Sequence, residues 1–292
     1  MYFRTDICLC GIYFTEVFSM KNTKTRALVE SAILIALATI LSLIKLVDLP
    51  YGGSITIASM FPIVILSYRF GLRWGCAAGL VYGIIQQLTG LSSLSYVTTW
   101  QSIVAVILLD YVIAYAVTGL GGIFRGRIKN QSSALAAGSL LVCLLRYACH
   151  VLSGATVWAG ISIPTKAALI YSFIYNATYM LPETLIMVLV SVYIGSMIDF
   201  HADLPVRTAR TETVAARRSV WTILAGLACT GALIFDVAAI FSKLQNAETG
   251  EFDITQIASA NWIAVAAVTA CAAIAAAALF AVGRASKKQN AG

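Results

Sequence analysis

A succession of long apolar segments constrains this chain more than any other feature. They lie at about 26–46, 54–68, 72–90, 101–122, 132–157, 167–198, 219–241 and 257–283. A helix of ~20 apolar residues matches the hydrocarbon thickness of a bilayer. None of these segments alternates polar with apolar residues, so they read as helices and not as strands of a closed barrel. Composition agrees, with 60% hydrophobic and 11% charged residues where a soluble domain carries about 25% charged. The expected fold class is an all-α integral membrane protein with eight spans.

The loops carry a charge pattern. Basic residues collect before the first segment (Lys21, Lys24, Arg26) and at 69–73, 125–129, 207–218 and 284–288. The loops at 47–53, 91–100, 158–166 and 242–256 are poor in basic residues or acidic, Lys45 and Lys166 excepted, and both lysines lie near segment ends where they can snorkel. This alternation places both termini in the cytoplasm and the chain in the plasma membrane as a multi-pass protein. The net charge of +7 therefore belongs to membrane topology and predicts no nucleic-acid partner.

Four units are expected. Residues 1–25 form an N-terminal cytoplasmic segment without signal-peptide character, in which Met20 would make an ordinary start. Residues 26–198 form a six-span body, 199–218 a charged linker, and 219–292 a two-span appendage whose one intramembrane charge is Asp236.

Ionisable groups inside spans are costly and mark function or pairing. In the body these are Asp110, Arg146, His150 and Glu183. Asp110 lies ~13 Å and His150 ~12 Å below the outer face at 1.5 Å per residue. Asp110, Tyr111, His150, Trp158, Tyr171 and Asn176 then share the outer half of the membrane and are predicted to face one cavity. Rings stack on flat heterocycles and attract cations. A carboxylate balances positive charge, and Asn and His supply directed hydrogen bonds. The ligand class is a planar, cationic, amine-bearing heterocycle. Each residue also has a plainer reading: a helix–helix hydrogen bond for His150, an interfacial aromatic belt for Trp158 and Tyr96. Arg146 and Glu183 are expected to form a buried ion pair that serves itself and not a ligand.

Enzyme chemistry finds little support. Ser153 lies near His150, but no GxSxG surrounds it and no triad order emerges. There is no phosphate-binding glycine loop. The seven cysteines show no metal-binding spacing, so no metal or cofactor is expected. Ala32 and Ala36, spaced i,i+4, form a small-residue pair that lets another helix approach closely.

The segments LPYGGSIT with SMFPIVILSYRFGLRWG, LLDYVIAYAVTGLGGIFRG, HVLSGATVWAG and YSFIYNATYMLPE resemble the thiamine-specific substrate-binding subunits (S-components, ThiT/YuaJ family) of energy-coupling-factor (ECF) transporters. The resemblance covers roughly residues 26–198. It implies a six-helix bundle, to which this chain adds two C-terminal helices, and a thiamine pocket near the outer face. It places Asp110 at an acidic position that contacts the cationic ligand, followed by Tyr111, and matches His150, Trp158, Tyr171 and Asn176 to pocket residues. The lid after the first span offers Tyr51 and no tryptophan, and Trp100 and Tyr96 are outer-wall aromatics. Ala32 and Ala36 match a motif that docks S-components on a transmembrane coupling subunit, itself driven by two ATPase subunits. The implied function is thiamine capture for uptake, without enzymatic activity of the chain itself. Two other readings stay open: a subunit for a thiamine precursor or another vitamin, and a membrane protein whose polar residues only pair helices.

Overall fold

The computed structural model describes residues 23–49, 53–159, 161, 165–166, 168–207, 213–244 and 254–288. Among them lie the helices α1 (Thr23–Leu43), α2 (Phe61–Phe70), α3 (Leu72–Thr89), α4 (Trp100–Phe124), α5 (Gln131–Thr156), α6 (Ala168–Met197), α7 (Thr213–Leu244) and α8 (Trp262–Lys288). All but α2 and α3 are long and apolar enough to cross a membrane. The chain is a helical multi-pass membrane protein, with a six-helix body and two further C-terminal helices.

The second segment departs from its sequence reading. Residues 54–68 do not form one continuous helix. Ser54–Thr56 is a strand, β2, paired antiparallel with β1 (Lys45–Asp48). The helix starts only at Phe61, with Pro62 in its first turn, where proline's fixed φ favours helix entry. It stops at Gly71, whose φ of +94° is left-handed and glycine-favoured. Ten residues span ~15 Å, half a bilayer. In exchange α2 is the core of the body, with every residue from Phe61 to Arg69 buried among Leu135, Val142 and Met187. Lys45 also differs: it does not snorkel but lies in β1, 2.9 Å from Asp48.

Close packing around α2 depends on small residues, as expected where lipid offers no hydrophobic drive between helices. A Cβ on Gly79 of α3 would strike the Tyr115 carbonyl of α4, and one on Gly138 of α5 would strike the Gly121 carbonyl. The Ser67 hydroxyl of α2 donates to the Gly119 carbonyl and accepts from Gly122 N at 2.9 Å.

The two ends of the body differ. At one end, where α1 begins and α2 and α6 finish, Arg69 is buried rather than part of an exposed basic turn. Its guanidinium binds both Glu30 oxygens at 2.7 and 3.0 Å, and donates to the carbonyls of Phe200, Ala202 and Asp203. A second ribbon, β3 (Ile198–Asp199) with β4 (Val206–Arg207), folds the chain back there. The β1–β2 ribbon lies at the other end. The C-terminal helices attach in series. α7 packs on α6, with Gly226 against Leu189, and α8 packs on α7. Asp236 has a partner that the sequence did not reveal, the Thr269 hydroxyl of α8 at 2.5 Å.

Candidate ligand-binding site

The site begins with a defect in α4. The helix is regular over Trp100–Val106, widens to π geometry over Ile107–Ile113, and tightens again from Ala114. Single π turns inside α-helices recur at functional sites because they re-aim side chains. Asp110 and Tyr111 lie in this π segment. A continuous helix was expected here, and the apolar run 101–122 gives no hint of the break.

Asp110 faces α5. Its Oδ1 is 2.8 Å from His150 Nδ1, and its Oδ2 accepts from Ser153 Oγ at 2.6 Å and from Trp158 Nε1 at 3.2 Å. His150 and Ser153 are one turn apart on α5, and Trp158 follows in the turn after it. Asn176 of α6 locks the neighbouring helix. Its Nδ2 donates to the carbonyls of Ser172 at 2.8 Å and His150 at 3.3 Å, and its Oδ1 accepts from Tyr179 Oη at 2.6 Å. The helices meet closely there, since a Cβ on Gly154 would strike the Ser172 hydroxyl.

A cavity of about 500 Å³ opens between α3, α4, α5, α6 and the β1–β2 ribbon. Asp110, Tyr111, His150, Trp158 and Asn176 all line it, as do Tyr175 and Tyr179. The floor is polar. Arg146 donates to Glu183 at 3.1 Å and to Tyr115 Oη at 3.1 Å, with its guanidinium 4.8 Å from the Tyr115 ring centre. Glu183 also accepts from Thr56 Oγ1 of β2 at 2.7 Å, and Thr56 bonds Ser59 at 2.9 Å. The ribbon forms the roof, with Gly53 against the Tyr179 ring. A hydroxyl wall includes Ser93, 3.1 Å from Tyr111 Oη.

The charges sort simply. Arg146 offsets Glu183, and Lys45 offsets Asp48. Among the described residues Asp110 is the lining carboxylate left without a permanent cation, so the cavity suits a cation. Tyrosine and tryptophan rings on its walls add faces for a flat ligand. Among the described residues no group of three or more His, Cys, Asp or Glu is placed to hold a metal ion.

Two residues singled out from the sequence do not line the cavity. Trp100 is 71% exposed at the start of α4, and Tyr171 is half-buried in the first turn of α6. Tyr175 and Tyr179 continue the i,i+4 series of Tyr171 deeper along the same face, and the cavity meets α6 at that depth. Tyr51 lies outside the described residues; Leu49 and Gly53 on either side of it line the cavity. Tyr96 lines it too. Arg146 and Glu183 are paired as expected, yet they also form cavity wall, which their pairing alone did not reveal.

The sequence profile of a family described as thiamine transporter protein (Thia_YuaJ) matches residues 28–200. Thiamine transporter ThiT of Bacillus subtilis is 36% identical over 174 residues, which cover 56% of this chain and 86% of that protein. Thiamine transporter ThiT of Lacticaseibacillus paracasei is 28% identical over 179 residues, 56% of this chain and 83% of that protein. A solved structure of ThiT from Listeria monocytogenes shares the fold with a TM-score of 0.50 at 21% identity, over 60% of this chain and 95% of that one. The profile match ends at residue 200, so α7 and α8 lie beyond it.

Proposed function

The chain belongs to the thiamine transporter protein (Thia_YuaJ) family, and from that membership we propose that it captures thiamine in the cavity between α4, α5 and α6 with high affinity. One observation carries the reading. Asp110 is an ionisable group within a span, hydrogen-bonded to His150, Ser153 and Trp158, in a cavity whose other lining charges among the described residues are paired. Thiamine joins two flat aromatic rings through a methylene, one carrying a fixed thiazolium charge and the other an exocyclic amine. Asp110 balances the charge, and Trp158 with Tyr111, Tyr175 and Tyr179 offers ring faces.

Delivery is assigned to an ECF coupling module, with a transmembrane subunit and two ATPase subunits. The small-residue face of α1 supports this. Ala32, Ile33, Ala36 and Leu37 are exposed along it, while α7 and α8 add to the body through α6. The body at 26–198, the linker at 199–218 and the appendage at 219–292 are taken as separate functional units, the appendage being dispensable for capture. Both termini are assigned to the cytoplasm. The gathering of Arg26, Arg69 and Arg125 at the end of the body opposite the cavity supports that side as the inner one.

The test is intrinsic fluorescence of the detergent-purified chain titrated with thiamine. The chain has five tryptophans, and Trp158 lines the cavity. Saturable quenching is expected, lost in Trp158→Phe. Tighter binding of the isolated pyrimidine moiety or of another vitamin would reassign the ligand. No response to any of them from folded protein would leave a structural role for these residues.

A further inference from the structure

We propose that Ser153 is a positioning residue that fixes the proton of His150, a ring that lines the cavity, on Nδ1 and leaves Nε2 as a bare acceptor. This rests on the reading of the cavity as the thiamine site. Ser153 is fully buried and does not itself line the cavity. Its effect passes through Asp110. Oδ2 of Asp110 accepts two hydrogen bonds, from Ser153 Oγ at 2.6 Å and Trp158 Nε1 at 3.2 Å.

A carboxylate can only accept a hydrogen bond. The contact of 2.8 Å between Oδ1 and His150 Nδ1 therefore needs the proton on Nδ1. In the other neutral tautomer two lone pairs would face each other. His150 Nε2 is buried and has no hydrogen-bond partner among the described residues. A proton there would be a buried donor without an acceptor. A ring with its proton on Nδ1 and a bare Nε2 avoids both costs. Which nitrogen of a histidine is free for ligand is set by the bond the other one makes, and here Ser153 holds the group that makes that bond. The consequence is specificity: the ligand must bring an N–H or O–H donor to Nε2.

The experiment is ¹⁵N NMR of the full-length chain labelled with [¹⁵N]histidine, alongside thiamine titrations. The chain has two histidines, and His201→Gln assigns His150. Protonated and bare ring nitrogens resonate far apart, so each tautomer is read directly. In the wild type we expect a protonated Nδ1 and a bare Nε2 whose resonance shifts when thiamine is added. Ser153→Ala is expected to populate the second tautomer and to raise the thiamine Kd about tenfold, the scale of one charge-assisted hydrogen bond. Ser153→Cys, nearly isosteric and a weaker donor, is expected to lie between the two, and serves alone should the alanine variant fail to fold. A proton on Nε2, or on both nitrogens, in the wild type overturns the proposal. So does a variant with wild-type tautomer and wild-type affinity. Folded wild-type protein that binds no thiamine overturns the reading of the cavity instead, and the ligand-free spectrum still decides the role of Ser153.

Discussion

Arg146 and Glu183 show what single residues contribute and how far a sequence reveals it. Both are buried, and each depends on the other as well as on Tyr115 and Thr56. Removing one partner leaves a charge stranded, which costs about 3–5 kcal/mol in buried pairs. Glu183→Ala should therefore lower the melting temperature steeply, whereas the double change Arg146→Met with Glu183→Leu should recover much of it. A double variant as unstable as the single one would contradict this. The pairing was legible because intramembrane charges need partners. Their place in the cavity wall was not, because it depends on β2 lying beside α6. Asp110, Tyr111, His150, Trp158 and Asn176 were legible from depth alone. Tyr171 and Trp100 were not separable from the true lining, since depth counted from a segment end says nothing of how deep the cavity lies.

At the scale of elements, the long apolar runs mapped onto helices because hydrophobic length governs insertion. The exceptions have local causes. Residues 54–68 read as one run, yet Ser54–Thr56 pairs with β1 and the helix begins only at Phe61, with Pro62 in its first turn. The π segment of α4 leaves no compositional mark. The contact of α3 with α4 is set by glycine. Gly79→Val would push a side chain into the Tyr115 backbone and displace the segment that carries Asp110. The variant is expected to lose both monodispersity on size exclusion and thiamine binding. A well-folded Gly79→Val protein with wild-type binding would show that α4 is not held this way. Arg69 makes a parallel case: Arg69→Gln gives up its bidentate bond to Glu30 and should loosen the 198–207 segment, seen as faster backbone hydrogen exchange there.

The whole molecule is a body matched by the thiamine transporter protein family over residues 28–200, carrying two helices that the match does not include. α7 meets the body through α6, and α8 meets α7. A chain ending at residue 207 keeps the cavity and the Arg69 clasp intact, so it is expected to bind thiamine within about twofold of the full chain. A loss well beyond that would tie α7 and α8 to capture. The same architecture leaves the Ala32–Ala36 face of α1 exposed. Ala36→Trp should abolish co-purification with an ECF coupling subunit without changing thiamine affinity, and loss of both together would place that face in folding instead.

The most direct measurement is the thiamine dissociation constant of the wild type against Asp110→Asn, by calorimetry in detergent on protein shown to be folded. Stranding or removing one member of a buried charge pair costs 2–5 kcal/mol or more, so the account predicts tight wild-type binding weakened at least about thirtyfold in the variant. Equal affinity in the two proteins would contradict the claim that Asp110 is the counter-charge around which the cavity is built.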